Sequence, residues 1–484
     1  NYIIVGLDSL NCSGNTDIVR LNWIELEYWR LHKMRGKPYF DFVSPPNRYG
    51  ANNYFLFEYP FQSMKIYIPK RAELIPNPWI RGDIDQGVYF RDTVYQQTEY
   101  FCVEPNYFLV PDSIIRDQSS DLRNLSNGAD YIIITHKLFE PAAQRLKQFR
   151  DNNLSGFDSA RVKLVEVQDI YDEFNYGLME PTAIKEFIRF AFNNWQAPAP
   201  FYIVLMGDMS RDYRKIFADS RENFIPSMPF HALQSGQVAS DNEFVTIIGN
   251  DFVPELSIGR ISCETIDEAN LLVDKIINYP GDQSKLWRKT VGLFSGGLNE
   301  NDENTLRFND RSMDLENYFV KPHGSITSKV FRYPNKPEYL PFYGSGPEIR
   351  REINKGTVIA NYYGHGGGYQ WDFVFNDDDI YALNNGSRLP FVVSVTCYTN
   401  HFDNQEVFAE IFNSLPYGGS IAFLGSSSLT YWPSTAFFNQ EMFREIFLDK
   451  DYVIGSAILT AKTNPAYGQM LQLLSLLGDP AIKL

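Results

Sequence analysis

The stretch Thr357-Val-Ile-Ala-Asn-Tyr-Tyr-Gly-His-Gly-Gly-Gly368 runs from a hydrophobic strand into a glycine-rich turn. A second apolar strand, Leu389-Pro-Phe-Val-Val-Ser-Val-Thr-Cys-Tyr398, ends on a cysteine. In open α/β sheets, ligands bind beyond the carboxyl ends of the strands. His365 and Cys397 both occupy such ends, 32 positions apart (397 − 365). That spacing is about one crossover connection, which allows the two strand ends to lie side by side.

These two residue types are suited to covalent catalysis. A thiol has a reference pKa of about 8.5 and needs a partner such as imidazole to become a useful thiolate. Histidine can also protonate a leaving amine. We therefore predict a catalytic dyad of His365 and Cys397. Glycines beside a histidine let backbone N–H groups approach a carbonyl oxygen, so the N–H groups of Gly366 and Cys397 are predicted to form an oxyanion hole.

Other interpretations of these segments exist. A cysteine at the end of an apolar strand is usually a small core residue, and a histidine in a glycine turn is usually a surface residue. The joint placement of the two favours the dyad. The run His-Gly-Gly-Gly also suggests the oxyanion loop of lipases, but that fold requires a Gly-x-Ser-x-Gly elbow. The nearest match, Gly425-Ser-Ser-Ser-Leu429, lacks the final glycine.

Strands and helices alternate around these segments from about residue 130 onward, which predicts a three-layer α/β fold with mainly parallel sheets. We divide this part into a first α/β subdomain at 126–285 and a catalytic subdomain at 286–484. Strands are predicted at Tyr131–Thr135, Val162–Val167, Phe201–Asp208, Thr290–Ser295, Thr357–Tyr363, Pro390–Val395 and Ser420–Leu424. Helices are predicted at 141–150, Pro181–Trp195, Thr305–Phe319, Glu348–Asn354, Val407–Phe412, Phe437–Phe447 and Gly455–Lys462.

Residues 1–125 are predicted to form a small all-β, sandwich-like domain. Arg20–Tyr28 alternates polar and apolar residues at period two, as a half-buried strand does. Tyr54–Phe57 and Met64–Ile68 behave similarly, and clusters of Pro and Asn separate the strands.

The composition excludes several classes of protein. The formal net charge of -15 argues against a nucleic-acid binder, because phosphate binding needs clustered Lys and Arg. Four cysteines in 484 residues do not make a disulfide scaffold, although Cys12 and Cys102 could pair in an extracytoplasmic domain. No segment has the uninterrupted apolar length of a membrane span, and Asn1–Leu10 lacks the pattern of a signal peptide.

The two decisive segments resemble the gingipain family of cysteine peptidases, and the similarity covers about residues 130–484. The family implies caspase-like architecture and the chain order His then Cys. Further matches are Val204-Leu-Met-Gly-Asp208, Ile248-Gly-Asn-Asp251, Ile258-Gly-Arg-Ile-Ser-Cys-Glu264 and Leu476-Leu-Gly-Asp-Pro480.

Within the family, other segments are more similar to the PorU-type sortases of the type IX secretion system. These are Arg20–Tyr28 in the β-rich domain, Ala129-Asp-Tyr-Ile-Ile-Ile-Thr135, Val167-Gln-Asp-Ile-Tyr-Asp-Glu-Phe-Asn-Tyr-Gly177 and Leu477-Gly-Asp-Pro-Ala481. The resemblance implies a location on the outer face of a bacterial outer membrane. It also implies partners: secreted cargo proteins with C-terminal signals, other secretion-system proteins of the outer membrane, and a lipopolysaccharide amine as acceptor.

The resemblance also assigns roles to single residues. Trp432 is similar to the tryptophan that lines the family's primary specificity pocket, and Val395 would lie in the same wall; a core position is the alternative for Trp432. No cofactor is implied for the chemistry. Asn250–Glu255 resembles a structural calcium loop, with carboxylates from Asp251 and Glu255 and carbonyl oxygens from Ile248 and Val253. Oxygen ligands of this kind suit calcium, and a solvated acidic turn is the alternative.

The sequence departs from the family at two acidic positions. Arginine-specific members carry two acids in the stretch that matches Ser295–Asp310, one near the histidine and one in the pocket. The first position falls here on Gly296-Gly297, and the pocket acid could be Asp302, Glu303 or Asp310. An arginine-selective pocket and a third catalytic acid are therefore not expected, and Asp377–Asp379 is interpreted as a helix cap.

Three hypotheses follow for the function. The first is a sortase-like peptidase that cleaves C-terminal signals through a Cys397 thioester and transfers the cargo to an amine. The second is a general secreted endopeptidase of the gingipain type. The third is a binding module that kept the fold without catalysis.

Overall fold

The structure, a computed structural model, describes residues 32–484 except 35–36, 59–62, 77, 82–86, 115, 117–118, 219, 281–284 and 404–406. Cys12 and the predicted strand at Arg20–Tyr28 lie outside the described residues. The chain divides into two units, Asn1–Asp117 and Gln118–Leu484.

The described part of unit 1 contains two antiparallel sheets, in the orders β1-β7-β3-β4 and β2-β6-β5. Alternate residues of β1, such as Phe40 and Phe42, are buried, because side chains on a strand point alternately to opposite faces. They join buried residues of both sheets in one core, as the prediction of a small all-β domain requires. The strands are β1 Tyr39–Val43, β2 Gly50–Phe57, β3 Lys65–Ile68, β4 Glu73–Leu74, β5 Trp79–Arg81, β6 Gly87–Val94 and β7 Glu99–Val103.

Unit 2 is built on a ten-stranded sheet with the order β15-β14-β16-β19-β20-β21-β13-β10-β8-β9. Two small hairpins, β11–β12 and β17–β18, stand apart from this sheet. The strands are β8 Tyr131–Thr135, β9 Val162–Glu166, β10 Tyr202–Met206, β11 Met228–Ala232, β12 Gly236–Ser240, β13 Ser257–Ile261, β14 Thr290–Ser295, β15 Ile326–Phe331, β16 Ile359–Tyr363, β17 Gln370–Trp371, β18 Phe375–Asn376, β19 Phe391–Val395, β20 Ala422–Ser426 and β21 Leu474–Leu477.

The ten strands form two parallel blocks that run in opposite directions. Strands β9, β8, β10, β13 and β21 are parallel to one another and make the first block. Strands β15, β14, β16, β19 and β20 are likewise parallel and make the second block. The blocks meet where β20 pairs with β21 antiparallel. The carboxyl ends of the two blocks therefore lie at opposite edges of the sheet.

Helices cover both faces of the sheet. Successive residues of one strand enter different hydrophobic clusters: in β19, Val392 packs in one cluster and Val393 in the other. This arrangement confirms the predicted three-layer fold with a mainly parallel sheet. The helices are α1 Glu140–Asn152, α2 Val167–Asn175, α3 Pro181–Asn194, α4 Ile266–Asn278, α5 Glu303–Leu315, α6 Lys321–His323, α7 Gly346–Lys355, α8 Asp377–Tyr381, α9 Phe408–Ser414, α10 Trp432–Phe447, α11 Ile454–Ala461 and α12 Met470–Leu473.

None of the helices in the described ranges combines the length and the hydrophobicity needed to span a membrane. The predicted subdomains at 126–285 and 286–484 both belong to unit 2 and share its sheet; the division between them stays a prediction. The acidic run Asp377–Asp379 opens α8, where Asn376 and Asp379 form a capping box.

Candidate active site

His365 stands two residues beyond the end of β16, in the glycine-rich turn. Its carbonyl oxygen accepts hydrogen bonds from the hydroxyl of Tyr362 at 3.0 Å and from the N–H of Asp372 at 2.8 Å. Its imidazole ring packs edge-on against Phe308, with ring centroids 5.3 Å apart. Two hydrogen bonds therefore hold the backbone of His365, and an aromatic neighbour holds its ring.

The Nε2 atom of His365 is buried and has no hydrogen-bond partner among the residues that the structure describes. In the same part of the chain, no carboxylate oxygen lies within 4.0 Å of either ring nitrogen. Because Nε2 is enclosed, Nδ1 is the ring nitrogen available for proton exchange with a ligand. The described residues thus supply no carboxylate partner to the His365 ring, and the catalytic roles of His365 and Cys397 stay a prediction.

Cys397 stands two residues beyond the end of β19 and is half-buried. Its Sγ atom lies 3.4 Å from the backbone nitrogen of Thr430 and 3.7 Å from Oγ1 of Thr430, in the loop after β20. The next residue, Tyr398, has a φ angle of 58°, in the left-handed region that residues other than glycine rarely adopt. Backbone strain of this kind is found most often at functional sites.

The two residues are level with each other across the sheet. β16 and β19 are parallel neighbours, with Tyr363 opposite Val395. His365 and Cys397 each lie two residues beyond that pair, so equal offsets bring them to the same edge at the same height. Both line one cavity of about 330 Å³, which we call the cleft. Its other described lining residues are Gln234, Asn304, Phe308, Gly364, Val395, Thr396, Thr430, Tyr431 and Thr435.

The predicted oxyanion hole lies at the same edge. The backbone N–H groups of Gly366 and Cys397 donate no hydrogen bond to any residue in the described ranges. A Cβ atom on Gly366 would come within 2.7 Å of the Thr396 side chain and 2.9 Å of the Cys397 carbonyl oxygen. Gly366 is therefore required for the close approach of the two turns. The oxyanion role itself stays a prediction.

The wall of the cleft contains some of the predicted pocket residues. Val395 lines the cleft, as expected from its place before the nucleophile. Trp432 is the first residue of α10, but its side chain lies outside what the structure describes, so its pocket role stays a prediction. Thr430 and Tyr431 directly precede it, and the matching motif could have identified them. Gln234 had no sequence signal, because it lies in the turn of a hairpin that the sequence did not predict.

The described lining of the cleft includes no aspartate or glutamate. The three acids considered for the pocket each make a contact elsewhere, and Oδ2 of Asp302 is buried without a hydrogen-bond partner among the described residues. Asp302 accepts a hydrogen bond from the N–H of Asn304 and caps α5. Glu303 pairs with Arg307, and Asp310 pairs with Lys336 at 2.8 Å. The cleft therefore offers no carboxylate to a basic substrate side chain within the part of the chain that the structure describes.

The predicted calcium loop is closed by its own hydrogen bonds. Asp251 Oδ1 accepts the N–H of Val253 at 2.9 Å. Glu255 Oε2 accepts the N–H groups of Ile247 and Ile248 at 2.6 and 3.2 Å. These hydrogen bonds engage one oxygen of each carboxylate. The described chain holds no cluster of three or more His, Cys, Asp or Glu side chains arranged for a metal ion, and the calcium site stays a prediction.

Comparison with known proteins identifies relatives of this chain. The sequence profile of peptidase family C25 matches residues 124–484. Lys-gingipain of Porphyromonas gingivalis is 25% identical over 276 residues, which is 54% of this chain and 14% of that protein. Gingipain R2 of the same organism is 26% identical over 228 residues, 44% of this chain and 29% of that protein. This chain thus matches less than a third of the length of either relative.

Two solved structures are also similar. The crystal structure of the Arg-specific cysteine proteinase gingipain R aligns with a TM-score of 0.56 and 20% identity, covering 74% of this chain and 78% of that one. Dimeric latent PorU from Porphyromonas gingivalis aligns with a TM-score of 0.47 and 15% identity, covering 90% of this chain and 38% of that one. The first match establishes the gingipain fold for unit 2.

Proposed function

This chain belongs to peptidase family C25, and from that premise we propose that it is a cysteine peptidase with His365 and Cys397 as its catalytic dyad. The observation that supports this proposal most directly is the register of the sheet. Two parallel neighbours end level with each other, and each delivers one reactive side chain to the same cleft. A sheet built only for stability would not need both side chains at one opening.

The proposed reaction begins with proton transfer from the Cys397 thiol to Nδ1 of His365. The sulfur then attacks the carbonyl carbon of a peptide bond, and the negative charge moves to the carbonyl oxygen. The N–H groups of Gly366 and Cys397 stabilise that oxygen. When the intermediate collapses, the C–N bond breaks, His365 returns its proton to the departing amine, and a thioester remains on Cys397.

We further propose that the natural substrate is a secreted cargo protein cut near a C-terminal signal, and that an amine takes the acyl group from Cys397. The amine attacks the thioester carbonyl, loses a proton to His365, and releases the thiol with formation of a new amide bond. Lipopolysaccharide on the cell surface is the proposed source of the amine, and other outer-membrane secretion proteins are proposed partners. The segments that resemble PorU-type sortases support this assignment.

The cleft favours an uncharged residue at the cleavage site. Its described lining combines Val395 and Phe308 with the hydroxyls of Thr430, Tyr431 and Thr435. A lysine or arginine side chain there would lose its hydration without gaining a carboxylate partner, which is unfavourable. Small polar or apolar residues would not carry that cost.

The experiment is a digest of a peptide library with the purified protein, with and without hydroxylamine as a small acceptor amine. We expect cleavage after uncharged residues and hydroxamate products from the thioester. His365→Ala and Cys397→Ala should each abolish both the cleavage and the formation of hydroxamate products. Cleavage that persists in Cys397→Ala would overturn the proposed dyad.

One observation favours the second hypothesis, a general endopeptidase: the described lining of the cleft can accept many different uncharged side chains. It predicts cleavage of many library members and hydrolysis as the main outcome even at high amine concentration. Cleavage restricted to signal-like peptides, with aminolysis dominating, would favour the sortase.

A further inference from the structure

A buried carboxylate lies beneath the His365 turn. Asp372 follows β17, and its side chain is about 1% exposed. Its backbone has a φ angle of 51°, which a residue other than glycine adopts at a cost. An enclosed charge and an unfavourable backbone angle at one position require compensation from neighbouring groups.

That compensation comes from two other strand ends. Oδ2 of Asp372 accepts the N–H of Gly297 at 2.7 Å, just after β14. Oδ1 accepts from Arg332 at 3.2 Å, just after β15. The same nitrogen of Arg332 also donates to the carbonyl of Gly297 at 2.5 Å. One carboxylate and one guanidinium thus join β14 and β15 to the turn that follows β16.

The space around the carboxylate is filled. A Cβ atom on Gly296 would come within 3.0 Å of Asp372 Oδ2 and 2.4 Å of the Tyr362 hydroxyl. The Tyr362 ring is stacked on Trp371, with centroids 4.6 Å apart and planes 6° apart. The Asp372 backbone is therefore held in place by two features: the contacts of its own carboxylate, and the stacked rings of Tyr362 and of Trp371, the residue before it.

The fixed backbone of Asp372 reaches His365 through one bond, from its N–H to the His365 carbonyl at 2.8 Å. Its carboxylate does not come within 4.0 Å of a His365 ring nitrogen, since no such ion pair exists among the described residues. Its influence on the imidazole is therefore exerted through the main chain.

We propose that Asp372, held by Arg332 and Gly297, is the positioning residue that aims the His365 ring at Cys397. This inference rests on the proposed dyad. A misplacement of about 1 Å at a reacting group can reduce the rate by about a hundredfold. Loss of the carboxylate frees the turn, so it should lower kcat and leave KM nearly unchanged.

The test compares Asp372→Ala and Asp372→Asn in the full protein. Asparagine still accepts a hydrogen bond and tolerates the left-handed region, so it should rescue part of the function. The first readout is the pH profile of Cys397 alkylation by iodoacetamide, followed by mass spectrometry of the peptide that carries Cys397. The second is kcat and KM on a peptide substrate.

We expect the alkylation profile of Asp372→Ala to move toward that of His365→Ala, and kcat to fall by about tenfold or more. Asp372→Asn should lie between Asp372→Ala and the unchanged protein. Glu316→Gln is the matched control, because Glu316 is equally buried and pairs with Lys329 of β15. It should change stability and leave the alkylation profile unchanged.

The outcomes separate the two proposals. If His365→Ala does not change the profile, the dyad itself is wrong. If His365→Ala changes the profile and folded Asp372→Ala does not, only the positioning role is overturned. If Asp372→Ala fails to fold, Asp372→Asn decides, and an unchanged profile and kcat in that variant would overturn the role.

Discussion

Cys263 and Cys397 occupy the same place relative to a strand and have opposite surroundings. Each stands two residues beyond the last residue of a strand in one sheet, β13 for Cys263 and β19 for Cys397. Cys263 is 2% exposed, and burial raises the pKa of its thiol well above the ordinary range, with the charges of Asp208 and Glu268 adding to the effect. Cys397 is half-buried and lines the cleft.

The loops that follow the strands account for the difference. In the first block, charged groups at the strand ends are paired: Asp208 contacts Arg221, and Arg260 contacts Asp241 at 2.7 Å. In the second block, Nε2 of His365 has no partner within the described chain. The strand ends of the first block thus use these polar groups for stability, whereas those of the second block combine the Asp372–Arg332 pair with two side chains, His365 and Cys397, that line the cleft. A strand-end position is therefore not sufficient to identify a nucleophile.

The largest effect is expected from replacing each of the two cysteines with alanine in separate variants. Cys397→Ala should lower peptide cleavage by about ten thousandfold, since the nucleophile and its base act as a unit. Its thermal midpoint should change little, because the side chain is half-buried. Cys263→Ala should retain cleavage and unfold more easily. Loss of cleavage in folded Cys263→Ala, or its retention in Cys397→Ala, would break the comparison.

The next effect concerns the buried ion pair between Arg260 and Asp241 in the first block. Arg260 is fully buried, forms two hydrogen bonds with Asp241 at 2.7 and 2.8 Å, and donates to the carbonyls of Gly207 and Ile225. Arg260→Met leaves the Asp241 carboxylate buried and unpaired, so it should lower the free energy of unfolding by about 3–5 kcal/mol. Urea denaturation measures this value.

A double variant controls that measurement. Adding Asp241→Asn to Arg260→Met removes the unpaired charge and should recover part of the loss. A single variant as stable as the unchanged protein would show that the pair adds nothing to stability.

A smaller effect, on the pH dependence of stability, is expected from a buried carboxyl group near the strand ends of the first block. Burial raises the pKa of Glu410 well above its ordinary value, and the charge of Asp208 raises it further. The Ser262 hydroxyl lies 2.7 Å from Asp208 Oδ1 and 2.8 Å from Glu410 Oε1. The hydroxyl has only one proton and can donate to only one of these two oxygens. The second contact is a hydrogen bond only if that carboxyl group carries a proton, so the arrangement favours one proton on the pair of carboxyl groups.

The sign of the pH effect follows from where the proton is held. The unfolded chain releases the Glu410 proton near the ordinary value, whereas the folded chain keeps it to higher pH. The free energy of unfolding therefore falls as pH rises through that window. Glu410→Gln should flatten the fall in urea midpoint between pH 5 and 8, while Glu441→Gln, at an exposed ion pair, should not. A slope unchanged by Glu410→Gln would rule out this assignment.

The smallest effect is expected from calcium. If Asp251 and Glu255 bind a structural ion, saturating calcium should raise the thermal midpoint by about 1–2 °C relative to a chelator, which corresponds to roughly 1 kcal/mol in a unit that spans Gln118–Leu484. Asp251→Asn should remove the increment. An identical midpoint in calcium and in chelator would leave the loop as an acidic turn.

Local patterns were enough to predict the main elements. The buried strand at Tyr131–Thr135 was identified from its β-branched run, and the strand-end positions of His365 and Cys397 were identified from apolar runs that stop at glycine or cysteine. These features depend only on neighbouring residues. The alternation of strands and helices predicted the three-layer α/β fold, and the gingipain resemblance added the caspase-like arrangement.

Features that depend on distant residues could not be predicted. β21 was missed as a strand because Leu474–Leu477 pairs antiparallel with β20 and parallel with β13, and no local pattern encodes that junction. The Asp372 carboxylate was not predicted to lie against Gly297, 75 positions away. Gln234 reaches the cleft through a hairpin whose alternation is weak.

The antiparallel junction has a consequence for the order of events during synthesis. β13 ends at Ile261, and its neighbour β21 ends 216 residues later (477 − 261). At about 5–20 residues per second, a ribosome needs roughly 10–40 s to make that length. During this interval the side of β13 that will receive β21 is an open sheet edge, and β20, which ends at Ser426, adds a second open edge for the last 51 residues (477 − 426). Such edges invite pairing with other chains. A nascent chain therefore depends on a late four-residue strand to close its own sheet, and a chaperone that shields either edge would protect it until then.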